Sequence, residues 1–208
     1  MIGAFGRRLR LVLRQPTDAS SVDDARDGPA DLPEVEFVAY AEDGRLSGRI
    51  RLDAARLSDI LNEHDEFQLI GVLAERLTEG GAMVVPELLV GRDELILVHA
   101  IGPRGDRAQW RRTTTHALEL QAGPYMVSGD VHAPHGVDPL VNFRRRQPMV
   151  PLTDATIEYR TAGGPVREFA GTIVVNRDQL DWVKEVEDGS RAFELPGMTT
   201  EDYLRQRR

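Results

Sequence analysis

GTIVVNRDQLDWVKEVE, residues 171–187, is an apolar run, a polar turn and a second apolar run; PELLVGRDELILVHA, residues 86–100, has the same form. Val90, Arg92, Asp93 and Leu95 fall on Val175, Arg177, Asp178 and Leu180. Gly91 opposes Asn176, and glycine and asparagine are the residues that most readily accept a left-handed backbone. That exchange predicts a shared left-handed turn, and the flanking apolar runs predict a hairpin. Working outward, residues 35–101 lie over residues 117–187, with Ser47-Gly48 on Ser128-Gly129, Asn62 on Asn142, and Gly80-Gly81 on Gly163-Gly164. The chain reads as two copies of one unit whose length differences fall in loops.

Each copy is β-rich. Apolar alternation at 35–41 and 118–122 predicts a first strand, and 46–52 and 126–133 a second. A short helical stretch follows, RLSDILN or GVDPLVN, in which Ser58 or Asp138 stands as N-cap and Pro139 fits the first helical position. Further strands are predicted at 67–77 and 150–160, at 84–90 and 169–175, and at 95–100 and 180–186. The isolated Gly pairs between them suit turns rather than phosphate cradles. Five short strands in so small a unit favour a closed or nearly closed barrel, which limits exposed edges. Two such barrels packed as a pseudo-dimer would bury more surface than either alone.

The strand order and the final strand-turn-strand, TIVVNRDQLDWVKEVE, resemble the Sm-like and SH3-like small β-barrels. The second unit as a whole looks like a bacterial domain family of unknown function. It carries G-x-(hydrophobic)-x-x-P at 129–134, D-x-L-x-N at 138–142, L-T-D-A-T at 152–156 and V-N-R-D-x-(hydrophobic) at 175–180. The resemblance implies a mainly β fold in two copies and supplies no activity. Sm-like RNA binders carry Arg-Gly where this chain has Arg92-Asp93 and Arg177-Asp178, and the acid beside each arginine argues against uridine recognition.

Composition bounds the rest. The 208 residues carry 26 basic and 34 acidic side chains, a formal charge of −8, and no cysteine. Without cysteine there is no disulfide framework, thiolate metal site, Fe–S ligation or cysteine nucleophile, so a cytoplasmic setting is expected. The acidity argues against a uniform nucleic-acid coat, which needs a basic surface. The charge is not spread evenly, however. Residues 1–16 hold four arginines and no acid, while residues 17–34 hold six acids and one arginine. The former read as a basic amphipathic helix, with Ile2, Phe5, Leu9, Val12 and Leu13 at near-helical spacing and Arg7 and Arg8 between them. Such a segment either covers the protein's own core, docks on a partner, or lies peripherally on the inner face of an anionic membrane. Residues 17–34 read as a disordered linker, 102–116 as a basic connector, and 188–208 as a tail with a short C-terminal helix.

Two clusters carry chemistry. GDVHAPHGVDP brings Asp130, His132, His135 and Asp138 close in sequence, residue types that ligate zinc-like ions. Its spacing is loose and the first copy lacks it, so no metal or cofactor is expected. Trp110, Arg111 and Arg112 in the connector, with Arg144, Arg145 and Arg146 after the second short helix, interleave arginine with aromatics, a pattern able to hold phosphates and stack on bases. Facing the acidic first copy, the same arginines suit internal charge complementarity. No G-x-S-x-G, H-E-x-x-H, phosphate loop or dinucleotide fingerprint occurs. His64 and His99 are single and unmatched between copies. The reading that follows is a non-enzymatic interaction or scaffold protein with an unidentified protein partner. Nucleic-acid binding through the arginines is the alternative, and an enzyme or metal protein the third.

Overall fold

A computed structural model describes residues 32–103 and 113–186. The predicted amphipathic helix at 1–16, most of the linker, the connector residues Trp110, Arg111 and Arg112, and the tail lie outside the described residues. The first half runs β1 (Glu34–Ala41), β2 (Gly44–Arg51), α1 (Leu57–Glu63), β3 (Glu66–Arg76), β4 (Ala82–Gly91), a 3-10 turn at Arg92–Glu94 and β5 (Leu97–His99). The second repeats that order as β6 (Thr114–Ala122), β7 (Tyr125–Ala133), α2 (Pro139–Arg145), β8 (Met149–Thr161), β9 (Gly164–Asn176), a 3-10 turn at Arg177–Gln179 and β10 (Trp182–Glu185).

All ten strands form one sheet in the order β10-β6-β7-β8-β9-β5-β1-β2-β3-β4, with every pairing antiparallel. This differs from the expectation of two separate closed or nearly closed barrels. The sheet is open, and β4 and β5 do not form the predicted hairpin. The 3-10 turn instead delivers β5 to the far side of the first half, where it pairs with β1 (Ala39 opposite Val98) and with β9 (Val98 opposite Val174). The corresponding turn delivers β10 to β6. Because β9 matches β4 by register and β5 matches β10, the halves meet through non-equivalent edges, and the seam is not a two-fold dimer contact.

Each half nevertheless wraps a core of its own. Phe37, Leu46, Leu61, Leu69, Leu88 and Leu95 represent the first, and Leu118, Leu120, Val127, Phe143, Leu152 and Ile157 the second. At the seam the cores share a wall. Val98 and Val174 face the first core, while Leu97, Ile173 and Val175 face the second. Burial on both faces explains why LILV and IVV are continuous apolar runs rather than alternations.

The sheet is bent by a bulge in each half. Pairing of β2 with β3 slips between Ser47 and Arg49, and pairing of β7 with β8 slips between Ser128 and Asp130. The Ser-Gly pairs are glycine there because a Cβ on Gly48 would lie 3.0 Å from the Ile70 carbonyl oxygen, and one on Gly129 2.9 Å from the Leu152 Cβ. Opposite them, the extra residues Gly71 (φ 59) and Asp154 (φ 48) adopt the left-handed conformation that bulges use. The left-handed pair is therefore 71/154. Gly91 (φ −78) and Asn176 (φ −77) are extended, which corrects the sequence expectation. Two smaller corrections concern the helices. Asp138 caps α2, accepting from the Val141 N–H at 2.9 Å with Pro139 at the first position, but α1 begins after Arg56 and Ser58 does not cap it. By helix bounds Asn62 matches Arg144 rather than Asn142.

Candidate functional site

The histidine-carboxylate cluster does not converge. His132 Nε2 lies 3.0 Å from Thr153 Oγ1, His135 Nδ1 lies 3.4 Å from Thr114 Oγ1, and the Asp138 carboxylate is held by its capping bond. Asp130 is buried in β7 opposite Thr153. Among the described residues no three His, Asp or Glu side chains are grouped to hold a metal ion. The arginine cluster divides as well. Arg146 turns inward to donate to the His132 carbonyl, and burial lowers its pKa. Arg144 and Arg145 remain exposed on the last turn of α2.

The repeated Arg-Asp elements are structural. Arg177 Nη1 donates to the Arg144 carbonyl at 2.8 Å and also to that of Arg146. Arg92 Nη1 reaches the Asn62 and His64 carbonyls at 3.3 and 3.4 Å. Each arginine thus satisfies carbonyls that its short helix leaves unpaired at its C-terminus. The acids beside them differ in use: Asp178 pairs with Arg177 at 2.9 Å, whereas Arg92 pairs with Asp65. Neither arginine is a free anion-binding group.

The densest polar chemistry lies at the seam, on residues that do not repeat. The Tyr40 hydroxyl donates to Glu168 Oε2 at 2.8 Å, and the Tyr159 hydroxyl donates to Oε1 at 2.6 Å. With its one proton committed, the Tyr40 oxygen accepts from His99 Nε2 at 3.1 Å, which places the imidazole proton on Nε2. Tyr125 joins Tyr40 and Tyr159 in an edge-to-face triad with ring centroids 5.4 to 5.8 Å apart, and its hydroxyl donates to the Ala41 carbonyl at 2.6 Å. The Arg45 guanidinium lies 6.0 Å from the Tyr40 ring centre. Burial alone would raise the Glu168 pKa, but bonds from Tyr159 and Tyr40 and the charge of Arg45 bring it below its ordinary value. Burial holds His99 below 6.5 despite the nearby carboxylate. Burial and the bond to Glu168 push Tyr159 up to about 12. The assembly is an ionised carboxylate held by two neutral phenols, with a neutral imidazole behind one of them. It locks first-half residues Tyr40, Arg45 and His99 to second-half residues Tyr125, Tyr159 and Glu168.

Other seam bonds act with it. Asn176, 3% exposed, donates to the Leu95 and Arg92 carbonyls at 2.9 and 3.1 Å, and Asn62 exchanges two bonds with the Met149 backbone at 2.9 and 3.0 Å. None of these residues is among the site candidates of the sequence, where His99 stands only as a histidine unmatched between copies. The signal that could have found them is their failure to match: by register Tyr40 falls on Gln121, His99 on Lys184 and Glu168 on Met83.

A groove of about 260 Å³ beside α1 is lined by Ile50, Ile60, Phe67, Asp53, His64 and Glu87. It falls below the ~300–1,000 Å³ of small-molecule pockets. The outer edges of β4 and β10 offer another kind of surface, since neither pairs with a strand among the described residues. Leu89 and Val183 are half-buried there, and Trp182 is 37% exposed. Their register counterparts at the seam, Val174, Val98 and Leu97, are fully buried. No helix among the described residues is long and apolar enough to cross a membrane. The site rests on these residues alone: no family model, no curated protein and no solved structure matches the chain.

Proposed function

We propose that the protein is a non-enzymatic interaction scaffold, built from two copies of one small Sm-like or SH3-like β unit, that recruits protein partners by adding strands to its free sheet edges. One observation carries the reading. Both outer edges present apolar side chains at the positions that the seam buries, and an open edge with apolar flanks is a template for strand addition. The use of the duplicated Arg92 and Arg177 to hold backbone carbonyls supports it, since what the halves share at these positions is framework. The basic segment 1–16 would supply a second contact, to the partner or to a membrane surface.

The test is recovery of partners from the source cells with the wild-type chain and with a Leu89→Lys/Val183→Lys variant whose thermal unfolding is unchanged. The variant is expected to lose the partners that the wild type retains. An identical set in both samples would overturn the reading.

A further inference from the structure

We infer that the partner at these edges is a second copy of this chain, joined head to tail with β10 of one copy on β4 of the next; the inference rests on the edge-recruitment reading above. The seam is its template. It is an antiparallel junction in which β5 pairs with residues 173–175 of β9, with Val98 opposite Val174 at its centre. By register β10 stands where β5 stands in the first half, and β4 where β9 stands in the second. The same junction repeated between two copies would set Val183 opposite Leu89 and bring Trp182 to the place of Leu97.

Features that ordinarily blunt an edge leave this one usable. Pro86 removes a donor from β4, but it matches Gly171, outside the part of β9 that β5 occupies. Four residues make a short β10, yet β5 achieves the seam with three. What the free edges lack is the polar lock. Gly91 replaces Asn176, Gln121 replaces Tyr40, and the Gly91 N–H is already taken by Glu94 Oε2 at 2.8 Å. The junction between copies therefore keeps the strand pairing and the apolar part of the seam and loses its side-chain hydrogen bonds, which makes it weaker and dependent on concentration. Because the edges are non-equivalent, each added copy presents the same two edges again, and growth proceeds to a closed ring or an open chain rather than stopping at a dimer.

The chain has no cysteine, so single thiols can report the contact cleanly. Leu89→Cys and Val183→Cys variants of the full chain would be treated with a short thiol cross-linker, each alone and mixed, beside light scattering of the wild type over a concentration series. Expected are a mass that rises with concentration past two copies and a cross-linked product in the mixed sample that neither variant forms alone. Cross-linking of Leu89→Cys to itself would overturn the head-to-tail geometry. A mass fixed at one chain would overturn self-association, and β4 amides protected from exchange in that monomer would assign the edge to the chain's own segment. If the mass is fixed while the lysine variant still loses cellular partners, edge recruitment stands with a foreign strand. If both fail, neither reading survives.

Discussion

The seam and the free edges are the same junction in two states, one closed and one open. Where they agree is apolar: Val98 and Val183, Val174 and Leu89, Leu97 and Trp182. Where they differ is polar, since Tyr40, His99, Glu168 and Asn176 have no counterparts of like chemistry on the outside. Apolar side chains along a strand edge are therefore common to both, while the hydrogen-bonded side chains belong to the permanent junction alone. The two kinds of contact behave differently, because buried hydrogen bonds demand one geometry while apolar contact is non-directional.

The largest effect should come from breaking the permanent version. Tyr40 is fully buried against two other rings, so Tyr40→Ala is expected to cost about 3–5 kcal/mol in chemical denaturation. Its register counterpart Gln121, changed to Ala, should stay within about 1 kcal/mol. Equal losses would show that the seam is energetically no different from the edge. A smaller loss, about 1–3 kcal/mol, is expected for Asn176→Ala, which removes the side-chain donor to the Leu95 carbonyl and leaves the Arg92 carbonyl with only the Leu95 N–H. An unchanged denaturation midpoint would remove Asn176 from the lock.

The smallest effect is a pH dependence. Glu168 titrates below its ordinary carboxylate value in the fold, so its contribution is complete above that value and is lost as pH falls through the folded pKa. His99 is also depressed, so the fold favours its neutral form; its contribution is complete above 6.5 and is likewise lost on acidification. Both push the same way, and acid should loosen the seam. The thermal midpoint should therefore fall less steeply with acidification in Glu168→Gln than in the wild type, and matching slopes would show that the cluster does not set the acid response. The effect is modest because both groups are partly exposed and screened.

Local pattern made most of the strands legible, and the Asp138-Pro139 start of α2 as well, because alternation and capping are decided by neighbours in sequence. Pairing was not legible. Nothing within 86–100 states that the strand after the Arg92 turn returns to β1 rather than to β4, since both faces of β5 are apolar either way. The left-handed positions were misplaced for a related reason. An Asn-Gly exchange signals a left-handed backbone in general, but at 91/176 both residues are extended, and the asparagine bonds across the seam. Tyr40, Tyr159 and Glu168 carry no local signal and the unmatched His99 points to no partner, because the four are distant in sequence and share no motif; only the two-sided sheet gathers them.

The shared wall also has a consequence for the order of synthesis. Met149 and Val174 belong to the core of the first half, although both are made after the connector. A ribosome that has released residues 1–103 has therefore produced a half whose core lacks Met149 and Val174 and whose β5 edge is bare. It must wait for most of the second half before Val174 arrives, and its nascent form is the stage at which it would most need shielding from strands of other chains.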